Sequence, residues 1–310
     1  MKPQYFLLGG LAVAAMAFAP QVFGGYGINI LVLVLLNTAV VSGLNLVTGY
    51  AGMFSFAQAA FYAIGAYTAA IMVRDLGTGF WINLPAAMLV TGVFGGLLAL
   101  PALRLSGHFL AIVTIAFQTI VYLVLSQWNG FTGGQSGLSI LDPAHFFGIR
   151  LFRIQHYYYL ALALCVLVLV VVAFLIHSRL GREWMAIRDD ETLARAVGIP
   201  TTRAKLTAFA AASAIAGAAG AVYGYMMRGV TPDDFTIWLS ASFVAMMIVG
   251  GKGTFLGPIL GAALLTIAPE MLGELAQYKM FFYGIVLVIA ATVLPDGLMG
   301  LWRRLRGKDQ

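Results

Sequence analysis

The stretch GYAGMFSFAQAAFYAIGAY, from Gly49 to Tyr67, decides which solvent this chain folds in. It is apolar and rich in Gly and Ala, and it carries Ser55, Gln58 and tyrosines where a soluble helix would carry charges. A soluble core helix would fill its buried side with Leu and Ile. In lipid, by contrast, small residues let helix backbones approach closely, and packing replaces the hydrophobic effect. The stretch therefore indicates a segment packed among other helices inside a bilayer.

The composition of the whole chain supports the same solvent. Of 310 residues, 61% are hydrophobic and only 10% are charged. Soluble domains carry about 25% charged residues, so a soluble protein this poor in charge could not cover its surface. The single cysteine, Cys165, excludes a disulfide framework. The net charge of +6 indicates membrane topology and not nucleic-acid binding, because no basic patch with interleaved aromatic residues lies in a soluble context.

Ten apolar runs approach the length of about 20 residues that a membrane-spanning helix needs. They cover residues 5–23, 28–48, 54–73, 81–100, 109–127, 157–176, 206–226, 238–249, 258–272 and 280–294. The eighth and ninth runs are short and meet at Gly250-Gly251-Lys252-Gly253, so they are either two short spans or a re-entrant pair. The first run resembles a signal peptide, but Pro20 follows the possible cleavage position and favours an uncleaved span. The prediction is an all-α, polytopic transmembrane bundle that forms one domain over residues 1–310.

Lys and Arg in the short loops predict the orientation of this bundle. With the amino terminus inside, the inner side receives most of the basic residues, including those of the 178–205 loop and of the carboxyl-terminal tail. The outer side receives Arg74, Arg150, Arg153, Arg228 and Lys279. Both termini are therefore expected in the cytoplasm, and the protein in the inner membrane. No charged residue falls in the middle of a span, which argues against ion coupling because such pumps keep ionisable groups there.

Polar residues recur at helical spacing along three of the predicted spans. Two interpretations stay open: these groups line a translocation path, or they form hydrogen bonds between helices, each worth about 0.6 kcal/mol. The candidate path residues are Ser42, Asn45, Ser55, Gln58, Tyr62, Thr114 and Gln118. No metal site is expected, since the four histidines lie scattered at span edges without ligand spacing.

One short pattern occurs twice in the chain. Gly49-x-x-Gly52-x-Phe54 returns as Gly250-x-x-Gly253-x-Phe255, and small residues follow both copies. Related halves are common in transporters. The two copies therefore raise the hypothesis of an internal repeat.

The longest inner segment, residues 178–205, mixes charges with apolar residues and is predicted to fold. Asp189 or Asp190 caps a short helix that has Glu191 in its first turn, and Gly198 followed by Pro200 ends it. Its apolar side chains either anchor it at the membrane interface or form a knob that docks into a groove of a cytoplasmic partner.

The longest outer segment, residues 128–156, begins with a turn-rich polar stretch. Together with the loop at 228–236 it either receives another protein or serves only to connect spans. Candidate charge partners are Arg150, Arg153, Arg228, Asp233 and Asp234.

Three stretches carry a family resemblance. They are GLNLVTGYAGMFSFAQAAFYAIGAYTAA, GREWMAIRDDETLARAVGIPTTRAKLTAFAAASAIAGAAGAVYG and VGGKGTFLGPILGAAL. Together they resemble the inner-membrane permease subunits of branched-chain amino acid ABC transporters, over about residues 31–294. The resemblance implies an importer in which a periplasmic binding protein delivers substrate to two permease subunits, the second one related but different. Two cytoplasmic ATPases would bind ATP and magnesium, and this chain would need no cofactor.

The resemblance also assigns a role to the 178–205 loop, which in this family contacts the ATPase. The residues carried over are Arg182, Arg188, Asp189, Asp190, Glu191, Arg195 and Gly198. The general permease pattern of Glu-Ala-Ala followed by Gly is only loosely kept by Glu191, Ala194 and Gly198, so the loop's role carries over more firmly than its single contacts.

The expected function is thus that of a permease subunit, not an enzyme, for branched-chain or related amino acids. Its partners would be the ATPases, a second permease, a binding protein and membrane lipid, but no nucleic acid. Two alternatives stay open: a permease for urea or short amides, and a stand-alone secondary transporter. A membrane-embedded enzyme is disfavoured because no clustered catalytic set occurs.

Overall fold

The computed structural model describes residues 16–21, 23–102, 105, 108–140, 145–146, 149–150, 152–271, 284 and 297–300. Within them the chain is mainly helical. The helices are α1 Gly25–Asn45, α2 Gln58–Leu76, α3 Phe80–Ala102, α4 His108–Gln127, α5 Asn129–Thr132, α6 Ile154–His177, α7 Arg179–Asp189, α8 Glu191–Ala196, α9 Thr201–Met227, α10 Ile237–Gly250 and α11 Gly257–Met271. A π-helical turn, Leu46–Tyr50, extends α1, and 3₁₀ turns form at Gly134–Ser136 and Pro232–Phe235.

Short strands occur only at two places in this described part. β1 Leu138–Ser139 pairs antiparallel with β4 Gly229–Val230, with Leu138 opposite Val230. β2 His145–Phe146 pairs with β3 Ile149–Arg150. The first pair joins the 128–156 loop to the loop that follows α9, so the two predicted outer segments meet.

Six helices of the described residues are long and apolar enough to cross a membrane. They are Gly25–Tyr50, Phe80–Pro101, Phe109–Gln127, Ile154–His177, Thr201–Met227 and Pro232–Gly250. Six of the ten predicted runs therefore form such helices. α2 forms but is not among the six, and α11 is a shorter apolar helix. The runs at 5–23 and 280–294 lie largely outside the described residues.

The third predicted run begins later than its apolarity suggests. α1 widens into the π turn at Leu46–Tyr50, residues 51–57 leave the helix, and α2 starts only at Gln58. Met53, Ser55 and Ala57 are nevertheless buried. Non-helical backbone at membrane depth is tolerated only where protein covers it or it lines a cavity. The break between α1 and α2 is therefore held inside the bundle.

Small residues bring α2, α3 and α9 into close contact, which accounts for the composition of the opening stretch. A Cβ added to Gly65 would overlap the backbone of Gly217, and one added to Gly217 would overlap the side chain of Thr91. A Cβ on Gly220 would overlap the carbonyl oxygen of Tyr62. Around this centre, α1 packs against α6, α9 and α11.

α10 and α11 form a helical hairpin whose turn contains the second copy of the glycine pattern. Gly250 and Gly261 sit where the two helices approach most closely, because a Cβ on either would overlap a carbonyl oxygen of the other helix. With its 14 residues, α10 is about 21 Å long, less than the hydrocarbon core of about 30 Å. It reaches the length of a candidate span only together with the 3₁₀ turn that precedes it.

Candidate functional site

The start of α2 collects polar side chains from three helices. The backbone N–H of Phe56 donates to Thr114 Oγ1 at 3.0 Å, and that of Ala59 donates to Ser240 Oγ at 2.9 Å. The first N–H groups of a helix have no partner within it, so a buried helix start requires such acceptors. The structure thus brings together Thr114, a predicted path residue, and Ser240, which sequence reasoning missed.

Ser55 and Gln58 complete the same region. Ser55 Oγ accepts from the N–H of Ala57 at 3.3 Å. Gln58 Nε2 donates to the carbonyl oxygens of Val40 in α1, at 3.4 Å, and of Ala212 in α9, at 3.2 Å. The Gln58 amide therefore ties three helices together, while the break before α2 keeps its side chain buried among them.

Ser42 lies buried in α1, and its hydroxyl has no hydrogen-bond partner among the described residues. An unpaired buried hydroxyl costs free energy, so such groups often mark places where water or a ligand is accommodated. Ser42 is thus a candidate path residue whose hydroxyl is not used by a hydrogen bond within the described part of the chain.

Gln118 holds the turn that follows β4. Its Nε2 donates to the carbonyl oxygen of Phe235 at 2.8 Å, and its Oε1 accepts from Ser240 Oγ at 3.4 Å. One helical turn further along α4, Tyr122 donates its hydroxyl to Asp233 Oδ1 at 3.0 Å. The turn is closed by Thr231, whose N–H and hydroxyl donate to Asp234 Oδ2 at 3.0 and 2.8 Å.

Four aromatic rings pack beneath this turn, and we call them the aromatic plug: Tyr62, Tyr223, Phe235 and Phe243. The ring of Tyr62 lies 5.4 Å from that of Tyr223, 5.7 Å from that of Phe235 and 6.0 Å from that of Phe243. These separations are typical of favourable edge-to-face and tilted pairs. The plug fills the space between α2, α9 and α10, so the candidate path residue Tyr62 belongs to a closed aromatic cluster.

Asn45 takes part in a different contact. Its Oδ1 accepts from the N–H of Gly253 at 2.8 Å, and its Nδ2 donates to the carbonyl oxygen of Thr254 at 2.9 Å. A Cβ on Gly49 would overlap the backbone nitrogen of Gly253. The two copies of the glycine pattern, some 200 residues apart in the sequence, therefore touch each other in space.

The 178–205 loop is folded. Asp190 Oδ1 accepts from the N–H groups of Thr192 and Leu193 at 2.7 and 2.9 Å, so Asp190 is the cap of α8. Asp189 instead accepts from Arg188 at 3.1 Å. Gly198, at φ +83°, ends the segment in a left-handed conformation that glycine adopts without strain.

Two anchors fix this loop on α9. Glu191 accepts from Lys205 Nζ at 2.8 Å and from Arg195 at 2.9 Å. Trp184 is fully buried, and its Nε1 donates to the carbonyl oxygen of Ala204 at 2.8 Å. Glu191 and Arg195, both predicted contact residues for another protein, are therefore engaged with each other inside this chain. Arg182 is exposed.

The tip of the folded loop is apolar. Leu193 is 63% exposed and Val197 is 69% exposed, one helical turn apart. Burying such side chains is favourable, and the exposed tip is compatible with both predicted roles, an anchor at the membrane interface and a docking surface for another protein.

At the other end of the bundle, Arg228 contacts the 128–156 loop. Its guanidinium lies 5.6 Å from the centre of the Phe152 ring and donates to the Phe152 carbonyl oxygen at 3.4 Å. Among the described residues, no group of three or more His, Cys, Asp or Glu side chains is placed to hold a metal ion.

These features define a class of protein: a helical membrane protein in which a buried non-helical segment joins α1 to α2 beside polar side chains, and in which a folded loop lies at one end. The sequence profile of the family described as "Branched-chain amino acid transport system / permease component" matches residues 26–291. The chain belongs to this family, and it is a membrane-spanning permease. The resemblance inferred from the three sequence stretches is thereby confirmed.

Individual relatives agree with the family match. The chain is 35% identical to the high-affinity branched-chain amino acid transport system permease protein LivM of Salmonella typhimurium and to its Escherichia coli K12 counterpart, over 98% of this chain and 76% of each relative. It is 24% identical to the permease protein LivH of Escherichia coli K12, over 83% of this chain and 89% of that protein. No solved structure matches the chain.

Proposed function

We propose that this chain is one of two permease subunits of an ATP-driven importer for branched-chain or related amino acids. The observation that carries the proposal is the folded 178–205 loop with its exposed Leu193 and Val197. A permease that worked alone would have no use for an apolar knob held in place by Trp184 and Glu191. An ATPase subunit that binds this apolar knob would also bind ATP and magnesium. This chain would change conformation to move the substrate and would catalyse no reaction itself.

A second, related permease completes the proposed path. Two permease proteins named for the same transport system of Escherichia coli, LivM and LivH, are both relatives of this chain. Such a system uses two different permease chains, and the same arrangement is proposed here. Large apolar side chains of α3 and α4, including Leu89, Val93 and Phe109, are exposed and suit contact with lipid or with this second permease.

The proposed path runs beside the start of α2, past Ser42, Ser55, Gln58 and Thr114. In the proposed mechanism the aromatic plug closes this path, and Gln118 holds the plug through its hydrogen bond to the Phe235 carbonyl oxygen. Alternating access would then require the plug to leave the space between α2, α9 and α10. The path residues carry no formal charge, which suits a zwitterion that must bind weakly enough to leave again.

The proposed topology has about ten spans that cross the inner membrane, and both termini lie in the cytoplasm. The grouping of charges supports its two-sided arrangement only: Arg188 and Lys252 belong to segments that meet at one end, whereas Arg74 and Arg228 belong to segments that contact the 128–156 loop. A periplasmic binding protein would dock on this second end, where the β1–β4 pair joins the two outer loops.

Co-purification of the tagged chain from its native membrane tests the proposal. We expect an ATPase, a second permease and, on reconstitution into liposomes, uptake of branched-chain amino acids that requires ATP and a binding protein. Leu193→Asp is the informative variant, because a charge on the apolar tip should remove the ATPase from the complex while the permease pair persists. A wild-type chain that purifies alone and still moves solute would instead establish a stand-alone transporter, and ATP-driven uptake of urea alone would reassign the substrate.

A further inference from the structure

Arg188, the penultimate residue of α7, extends from the 178–205 loop to the break between α1 and α2. Its Nη1 donates to the carbonyl oxygen of Gly49 at 3.2 Å, and its Nη2 donates to Asp189 Oδ1 at 3.1 Å. Gly49 lies in the π turn, where the backbone has already left α-helical register. The arginine thus donates to a carbonyl oxygen within the π turn that extends α1.

The same point is where the two glycine patterns meet. We call Asn45, Gly49, Gly253 and Thr254 the glycine joint. Asn45 bridges its two sides, with hydrogen bonds of 2.8 Å to the N–H of Gly253 and 2.9 Å to the carbonyl oxygen of Thr254. A Cβ on Gly253 would lie 3.0 Å from the carbonyl oxygen of Gly49 and 3.2 Å from Arg188 Nη1. The guanidinium therefore lies against both sides of the joint at once.

Arg188 also packs on the backbone immediately after the π turn. Gly52 has φ +72°, and a Cβ there would lie 2.9 Å from Arg188 Cγ and 3.1 Å from its Cα. Close packing without intervening side chains transmits displacement, because protein interiors are dense and little compressible. A movement of α7 must consequently be felt at residues 49–53, which lead directly into the polar start of α2.

The rest of the loop is fastened elsewhere. Trp184 bonds to Ala204 and Glu191 pairs with Lys205, so these residues move with α9. Arg188 adds a contact from α7 to the end of α1 and to the α10–α11 turn, beside the direct packing of α9 on α1. It is therefore placed between the surface where an ATPase would dock and the helix break beside the candidate path.

We propose that Arg188 is a positioning residue that transmits movement of the 178–205 loop to the glycine joint, and thereby sets the opening of the path at the start of α2. This inference rests on the proposed function, since it presumes a partner that moves the loop. A planar guanidinium with five donors can serve the Gly49 carbonyl and Asp189 together, whereas the single ammonium group of a lysine cannot reproduce that fork.

The test compares Arg188→Ala and Arg188→Lys in the complex co-purified with its ATPase and reconstituted with its binding protein. The number of solute molecules moved per ATP hydrolysed should fall about tenfold in Arg188→Ala, the loss expected when one charge-assisted hydrogen bond is removed. Arg188→Lys should recover only part of it. The ATPase should remain bound in both variants, because Arg188 faces the joint and not the apolar tip.

Lys252→Ala is the matched control. Lys252 is exposed in the α10–α11 turn, which Arg188 contacts, and its replacement also removes one positive charge. It should leave the transport ratio unchanged. An unchanged ratio in Arg188→Ala would overturn the inference, and so would loss of the ATPase from that variant, which would make Arg188 a docking residue. If the wild-type chain binds no ATPase, the proposed function itself fails, and the two failures are thus distinguishable.

Discussion

At the scale of single residues, the polar groups of this permease serve helix ends and helix contacts before any substrate arrives. Thr114 and Ser240 accept from the N–H groups at the start of α2, and Gln58 donates to α1 and α9. These bonds can exchange for bonds to a zwitterion at modest cost, because a net hydrogen bond is worth only about 1 kcal/mol. The same residues can therefore hold the bundle together and line a path.

Gln58→Leu tests that double role. Leucine fills a similar volume but donates nothing, so the carbonyl oxygens of Val40 and Ala212, which lie inside helices, each lose a second donor at a cost of about 1 kcal/mol. We expect the variant to assemble with its partners but to import substrate several-fold more slowly. The measurement is initial uptake normalised to purified complex. Normal uptake would identify Gln58 as a packing residue only.

Gln118→Leu should release the aromatic plug. Without the 2.8 Å bond to its carbonyl oxygen, Phe235 loses one of the contacts that hold the turn, which destabilises the packed arrangement of the plug by about 1–3 kcal/mol. We expect ATP hydrolysis without the binding protein to rise several-fold in the reconstituted complex. Thr119→Val is the control, because Thr119 is adjacent in sequence and bonds only within its own helix, to Ile115. Equal basal rates in the two variants would contradict the prediction.

At the scale of secondary-structure elements, glycine decides how closely the helices pack, and one ion-paired glutamate decides where the short helix α8 sits. α2 and α9 meet at Gly65 and Gly217 with backbone against backbone. α8 has only six residues, too few to be stable by itself in water. Its position is therefore set by Glu191, which pairs with the nearly buried Lys205.

Gly65→Ala should destabilise the bundle. The added methyl group would overlap the backbone of Gly217 and force α2 away from α9, and overpacking of this kind costs about 1–3 kcal/mol. The matched control is Gly96→Ala in α3, where the new methyl group meets no atom within 4 Å. We expect a lower temperature of thermal aggregation in detergent for the first variant alone. Equal temperatures would show that the helices adjust freely.

Replacing Glu191 and Arg195 together should uncouple transport from ATP hydrolysis while the membrane helices stay folded. Glu191→Gln with Arg195→Gln leaves Lys205 without its carboxylate, so α8 loses its anchor on α9. Arg203→Gln is the control, since Arg203 is exposed near the start of α9 and substitutions at exposed positions usually change stability little. The check is substrate-stimulated ATPase activity, and a wild-type response from the double variant would contradict the prediction.

At the scale of the whole molecule, charged segments gather at two ends of the bundle. The 178–205 loop meets the α10–α11 turn at one end, and the 128–156 loop meets β4 at the other. An apolar centre with charged ends is what a bilayer requires, because a charge at its middle costs about 2.5–3.5 kcal/mol on insertion scales.

Cysteine labelling should identify the two ends. Asp233→Cys is expected to react with a membrane-impermeant maleimide in cells whose outer membrane is permeable, whereas Val197→Cys should react only after the inner membrane is opened. Cys165 is buried, so the unmodified chain provides the blank. Labelling of both positions from the same side would contradict the proposed topology.

The amino-acid sequence alone determined what local chemistry can determine. Apolar length predicted six helices that the structure contains, and the three family stretches identified the permease. Asp189 or Asp190 before Glu191, and Gly198 after them, predicted a short helix, and the structure chose Asp190 as its cap. Only the tertiary structure decided that α2 starts at Gln58 and not at Phe54, since that start depends on acceptors supplied by Thr114 and Ser240. Likewise, only the tertiary structure placed the Phe235 carbonyl oxygen beside Gln118 Nε2. It also brought Gly49 and Arg188 into contact with each other and close to Gly253. These contacts join residues far apart in the chain. The periodicity of a single helix shows which of its faces is buried, but not which residues of another helix that face contacts.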